Sequence, residues 1–204
     1  MEPYKIDSNN NLFNEFLIAH PHGYAYLYEL SEFCRKNAVD TVRELGAFQG
    51  ASASAFFEGG VSSVESIELD PRHLSSEIRS ALEDLGSWKL RVESSVNSEA
   101  LWDEVDLTFL DTVHTYQHVA EELKVHSQTS KKFMAVHDTK YPKSVVKEVG
   151  KLDLGPHYQI ITAEFCHKKT VGRAVTDFVK MSGQWEMVLN STSGSGLMII
   201  GRKS

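Results

Sequence analysis

Short β-branched and apolar runs alternate along this chain with segments whose apolar positions recur at helical spacing. Asp40–Gly46, Val64–Leu69, Trp88–Glu93, Asp106–Asp111 and Lys132–His137 read as strands. Asp70-Pro71 opens a helical stretch to about Leu85, with proline in its favoured place in the first turn. A second helix is expected over Tyr116–Gln128, and a third over Val171–Met181. Ahead of the first strand, residues 12–36 read as two packed helices. Strand-then-helix alternation predicts a doubly wound α/β fold, a mostly parallel sheet with helices on both faces. The tail departs from it. Trp185–Asn190 and Leu197–Gly201 are separated by Ser191-Thr192-Ser193-Gly194-Ser195-Gly196, too short for a crossover helix. These two strands should form an antiparallel hairpin and bring the sheet to seven strands. Residues 139–170 read as an insertion on the substrate side, with His157–Phe165 either a strand or part of a loop. No repeat or domain boundary interrupts residues 1–204, so one domain is expected.

Composition narrows the class. With 204 residues, 41% hydrophobic and 24% charged, the chain has the make-up of an ordinary globular domain. The net charge of −7 and the lack of a basic stripe argue against nucleic acid as a partner and leave a small molecule as the favoured one. No stretch is apolar for long enough to span a membrane. The polar Met1–Asn11 start resembles no secretory leader, and two cysteines, Cys34 and Cys166, form no metal-type pair. A cytoplasmic location is therefore expected, and a homodimer is the default assembly.

The candidate chemistry begins at Arg43-Glu44-Leu45-Gly46-Ala47-Phe48-Gln49-Gly50-Ala51-Ser52, where a strand delivers a glycine turn that opens a helix. Gly46 permits a tight turn, and Gly50 lies near a helix start whose free N–H groups suit a polar ligand. Alone, this is an ordinary strand-to-helix junction. Glu68, 22 residues after Gly46 at the end of the next strand, changes the reading. An acid there accepts hydrogen bonds from ribose hydroxyls in open α/β sheets. A nicotinamide dinucleotide site would carry Gly-x-Gly-x-x-Gly, whereas Phe48 holds the third position here and would obstruct a pyrophosphate. The pattern suits a cofactor without phosphate, for which S-adenosylmethionine is the obvious candidate.

Three segments in order, Glu44–Ser52, Ser66–Pro71 and Leu107–Asp111, resemble successive motifs of class I S-adenosylmethionine-dependent O-methyltransferases. The resemblance is to the metal-dependent catechol O-methyltransferase type. Asp111-Thr112-Val113-His114-Thr115-Tyr116 and His137-Asp138-Thr139 are also similar to bacterial relatives acting on sugars and secondary metabolites. The resemblance implies that Glu44, Gly46, Ala47, Phe48, Gly50 and Ser52 line the methionine end of the cofactor. Glu68 with Leu69 would hold the ribose side, Ser94 and Ser95 the adenine side, and Asp111 would border the cofactor. Ser94 replaces a glycine usual in that family.

Methyl transfer to oxygen needs an aligned hydroxyl and a group to take its proton, and a divalent cation can assist. Asp111 ends the fourth strand and His137-Asp138 ends the fifth, so the three can meet. They form a candidate metal set, for magnesium or manganese, in which His137 stands where the related family is usually acidic. Imidazole suits manganese, iron, nickel or zinc better than magnesium. His137 is alternatively a histidine hydrogen-bonded to Asp111, and Asp138 a turn acid. His114, three residues past Asp111 where catechol-type enzymes carry a lysine, is the candidate general base, needing little tuning near neutral pH. His118 and His126 read as part of a polar helix face, and Tyr116 either caps the site or packs. The expected activity is methylation of a small hydroxylated substrate. A non-catalytic binding or assembly module on the same fold is the alternative, and a nicotinamide-dependent oxidoreductase is disfavoured by Phe48.

Overall fold

The computed structural model describes residues 10–19, 25–97, 103–140 and 170–204. Its strands are β1 (Thr41–Leu45), β2 (Ser63–Ile67), β3 (Ser87–Arg91), β4 (Val105–Leu110), β5 (Ser130–His137), β6 (Trp185–Ser191) and β7 (Leu197–Arg202). They form one sheet in the order β3-β2-β1-β4-β5-β7-β6. The first five run parallel, and β7 enters antiparallel to both β5 and β6. The expected seven-stranded doubly wound sheet with its C-terminal hairpin is what the chain adopts.

Alternation along each strand divides the side chains between two helical layers. Val42, Val64, Leu107, Phe109, Ala135, Leu197 and Ile199 face one layer. That layer comprises α1 (Asn11–Ala19), α2 (Ala25–Lys36), α3 (Ala51–Glu58) and α4 (Ser76–Leu85). Leu45, Ile67, Leu110, Met134, Val136, Met198 and Ile200 face the other, made by α5 (Tyr116–His126) and α6 (Val171–Ser182). The two helices expected before β1 are α1 and α2. Asn10 caps α1 by accepting from Phe13 N at 2.9 Å, while its amide donates to the Ser54 carbonyl of α3 at 3.0 Å.

Local chemistry moves several boundaries. β2 ends at Ile67 because the chain turns at Glu68, and the helix expected from Asp70-Pro71 is broken into two pieces. Asp70 caps a short 3-10 turn, Pro71–His73, and Ser75 restarts the helix by accepting from Ile78 N at 3.3 Å. The expected strand or loop at His157–Phe165, and the insertion apart from its ends, lie outside the described residues. Among the described residues no helix is long and apolar enough to cross a membrane.

Register sets the functional edge. Leu45 pairs with Ile67 and with Leu110, and Leu110 pairs with Val136. The next residues, Gly46, Glu68 and Asp111, therefore leave the sheet side by side at its carboxyl edge, level with His137 at the end of β5. Strand order reverses between β1 and β4, the place where open α/β sheets form a ligand crevice.

Candidate active site

Gly46 is required by a close approach. Its φ is +89°, and a Cβ there would lie 2.3 Å from the Asp111 carbonyl oxygen. Its N–H donates to the Ile67 carbonyl at 2.8 Å, while Asp111 N donates to the Leu45 carbonyl at 2.9 Å. The turn thus lies directly against the end of β4. Gly50 serves packing: a Cβ would meet Leu82 at 3.0 Å and Ile78 at 3.1 Å, so this glycine lets α4 approach the start of α3.

Glu68 reaches back over the turn. Its Oε2 accepts from Ala47 N and Phe48 N, each at 3.1 Å, and its Oε1 accepts from Asp70 N at 2.9 Å. A carboxylate has about four acceptor positions, so Oε1 retains room for a ligand hydroxyl. Beside it, Leu69 is 50% exposed and Phe48 52% exposed, and the Phe48 ring lies tilted against His73 with centroids 4.8 Å apart.

Glu44 lies fully buried beneath the turn, accepting from Ser52 of α3 and Ser66 of β2. Burial pushes its carboxyl up to about 7 against the two hydroxyls, which favour the ionised form. Ser95 is buried, and its hydroxyl turns inward to donate to Glu122 Oε1 at 2.6 Å. Its carbonyl accepts from His126 Nε2 at 2.7 Å. Ser94, half-buried, precedes it on the loop beyond β3.

The charged centre gathers where β4 and β5 end. His114 Nε2 sits 3.1 Å from Asp111 Oδ1 and 3.0 Å from Asp138 Oδ2. His137 Nδ1 lies 3.1 Å from the same Asp111 oxygen, and its ring stacks on Tyr26 of α2 with centroids 3.7 Å apart. Asp138 holds φ at +55°, an uncommon conformation for a side-chain-bearing residue. Burial alone would push Asp111 up, but His137 and His114 outweigh it and hold the carboxyl below its ordinary range. Burial pushes His114 down, and its bonds to Asp111 and Asp138 drive it up to about 10. His114 is therefore strongly tuned, contrary to the expectation from sequence, because two carboxylates converge on one nitrogen.

Among the described residues, Asp111, His114 and Asp138 can each offer a ligand atom, all within 4.8 Å of one another. The imidazole in this set is that of His114. His137 instead lies beside Asp111, in the arrangement of a histidine hydrogen-bonded to that acid. Two carboxylates and one imidazole form a donor set that fits a divalent cation such as manganese better than magnesium.

A second, buried network, unmarked by any sequence motif, lies along α5. Glu122 Oε1 accepts from Ser95 and from Thr112, each at 2.6 Å, and lies 3.0 Å from His118 Nε2. His118 and His126 are buried rather than on a polar outer face, because positions 118, 122 and 126 share one helical stripe facing the β3 and β4 loops. Burial would push Glu122 up, but His118 and the two hydroxyls pull it down. Tyr116 packs: its hydroxyl donates to Asp177 of α6 at 3.1 Å.

No protein-family profile matches the sequence, and no curated protein matches it. Solved structures do. The O-methyltransferase from Bacillus cereus in complex with SAH superposes with a TM-score of 0.68 at 12% identity, over 98% of this chain and 94% of that one. TomG from Streptomyces achromogenes, an O-methyltransferase of tomaymycin synthesis in complex with SAM, gives 0.64 at 11% identity, over 97% and 92%. Magnesium protoporphyrin IX methyltransferase from Synechocystis with bound SAH gives 0.62 at 7% identity, over 87% and 82%. The chain thus has the Rossmann-like fold of S-adenosylmethionine-dependent methyltransferases.

Proposed function

We propose that this protein transfers the methyl group of S-adenosylmethionine to a hydroxyl of a small molecule. The observation that carries the reading is the position of His114 between Asp111 and Asp138, with the Asp111 backbone directly against the Gly46 turn. Neighbours of the same fold are solved with SAM or SAH bound, and the absence of a side chain at Gly46 is what lets the turn lie against the end of β4.

The chain's own groups divide the work. Glu68 offers its remaining acceptor capacity to the ribose hydroxyls, with Leu69 and Phe48 covering the apolar faces. Glu44, held near neutrality, becomes fully ionised beside the positive methionine end and favours its binding. Gly46 through Ser52 supply the turn on which that end rests. At the reacting end Asp111 and Asp138 hold the His114 ring and favour its protonated form, so His114 takes the acceptor's proton once positive charge bound beside those carboxylates has returned it to the neutral form. A divalent cation held by Asp111 and Asp138 beside His114 would lower the acceptor hydroxyl's pKa and oppose protonation of His114. The net charge of −7 fits a small-molecule acceptor.

Calorimetric titration with S-adenosylhomocysteine tests the cofactor half, with binding expected. No binding, with or without manganese, would refute the reading. Once an acceptor has been found by screening, His114→Ala should reduce kcat by about 10²–10⁴-fold while leaving cofactor affinity in place.

A further inference from the structure

We propose that Ser195, at the turn between β6 and β7, is a positioning residue that sets the orientation of the Asp138 carboxylate. The inference deepens the proposed function, because it rests on Asp138 being part of the reacting centre. Three sets of contacts converge on it.

The first concerns the carboxylate itself. Asp138 follows β5 in a left-handed conformation that a β-carbon-bearing residue rarely holds unless its surroundings impose it. Its Oδ2 faces His114, and its Oδ1 accepts from the Ser195 hydroxyl. The same hydroxyl lies 3.3 Å from His137 Nε2. One side chain thus fixes which carboxylate oxygen is presented to the site and also touches the imidazole that braces Asp111.

The second is the backbone. Lys140 N donates to the Ser195 carbonyl at 2.8 Å, and Thr139 N donates to the Gly196 carbonyl at 3.3 Å. Gly196 has φ +99°, and a Cβ there would lie 2.6 Å from Thr139 Oγ1. The turn therefore lies directly on the residues that follow Asp138, which only a glycine at 196 allows.

The third is an anchor on the opposite side of the turn. Ser191 and Ser193 both donate to Glu29 Oε1 of α2, Ser191 at 2.8 Å. α2 also carries Tyr26, which stacks on His137. The turn is clamped between α2 and β5, and Ser195 is its contact with the charged centre. Hydrogen-bonding partners of this kind orient ligating groups, and their loss costs about 10–100-fold in metal affinity or activity.

Isotope-labelled full-length protein without metal provides the test, read by the ring-nitrogen resonances of His114 and His137 and the side-chain carboxyl resonance of Asp138. Ser195→Ala should displace the Asp138 and His137 signals beyond their linewidths, while melting temperature and S-adenosylhomocysteine affinity stay as in the parent. Ser195→Thr should restore them, and Ser191→Ala, which loosens the same turn away from Asp138, should leave them in place. Unmoved signals in Ser195→Ala would overturn the proposal. Equal displacement in Ser195→Ala and Ser191→Ala with a lowered melting temperature would also overturn it, by showing a general role in the hairpin. Failure of the parent to bind S-adenosylhomocysteine is read separately and bears on the cofactor assignment.

Discussion

Gly46→Ala isolates the close contact on which the cofactor turn depends. The added methyl would lie 2.3 Å from the Asp111 carbonyl oxygen and 2.9 Å from its carbon, both backbone atoms that cannot rotate away. The residue's φ of +89° adds a second cost, about 1–2 kcal/mol for any L-residue with a β-carbon. Forcing β1 and β4 apart adds roughly 1–3 kcal/mol of overpacking. Gly60 supplies the control: its φ is +86°, and a Cβ there meets nothing within 4 Å. Gly60→Ala should therefore lose only the conformational part and keep S-adenosylhomocysteine binding. Gly46→Ala should lose about 2–5 kcal/mol in all and bind the ligand at least tenfold more weakly, because Ala47 and Phe48 can no longer both reach Glu68. For a chain of this size each kcal/mol lowers the melting temperature by about 2–4 °C, so thermal scans with and without ligand resolve the two variants. Equal destabilisation of the two, or parent-like ligand affinity in Gly46→Ala, would refute the reasoning.

His126 should make the protein acid-sensitive. Burial lowers it to about 4 from an ordinary 6.5, so the folded chain keeps it neutral while the unfolded chain takes up a proton. Its contribution is complete above 6.5 and is lost as the pH falls toward 4, a loss of up to about 3 kcal/mol that His126→Gln should remove from urea denaturation curves. Cys34, fully buried with its thiol pushed up to about 12 by burial, should resist alkylation at pH 8 until the chain is unfolded, as mass-spectrometric site mapping will show. Glu122→Ala should cost about 3 kcal/mol by leaving Ser95, Thr112 and His118 without their shared acceptor, and Glu122→Gln should cost less in the same denaturation assay.

Local pattern carried most of the fold. The alternation of β-branched runs with helical spacing specifies five parallel strands, and a six-residue loop admits only a hairpin. Gly46 and Glu68 were legible because their roles are local: a turn that tolerates no Cβ, and a strand-end acid. The split at Pro71–His73 and Ser75 was missed because a single serine cap competes with an apolar periodicity that runs straight through it. The buried face of α5 was missed for a different reason. His118, Glu122 and His126 sit at helical spacing, but polar residues at that spacing read as a solvent face unless Ser95 and Thr112 are known to lie opposite.

The reacting centre shows where sequence reading stops. Asp111 and His114 are three positions apart and could be read as a pair, but the state of His114 depends on Asp138, which arrives on the next strand of the sheet. That strand's register, set by Leu110 opposite Val136, decides that two carboxylates share one imidazole nitrogen and raise it to about 10. The same register, continued through His137 opposite Leu197, brings Ser195 onto Asp138. A serine between two glycines in a hairpin loop carries no sequence signal of that role. It acquires one only from the antiparallel entry of β7 beside β5, so the feature that most reshapes the site comes from the strands added last to the sheet.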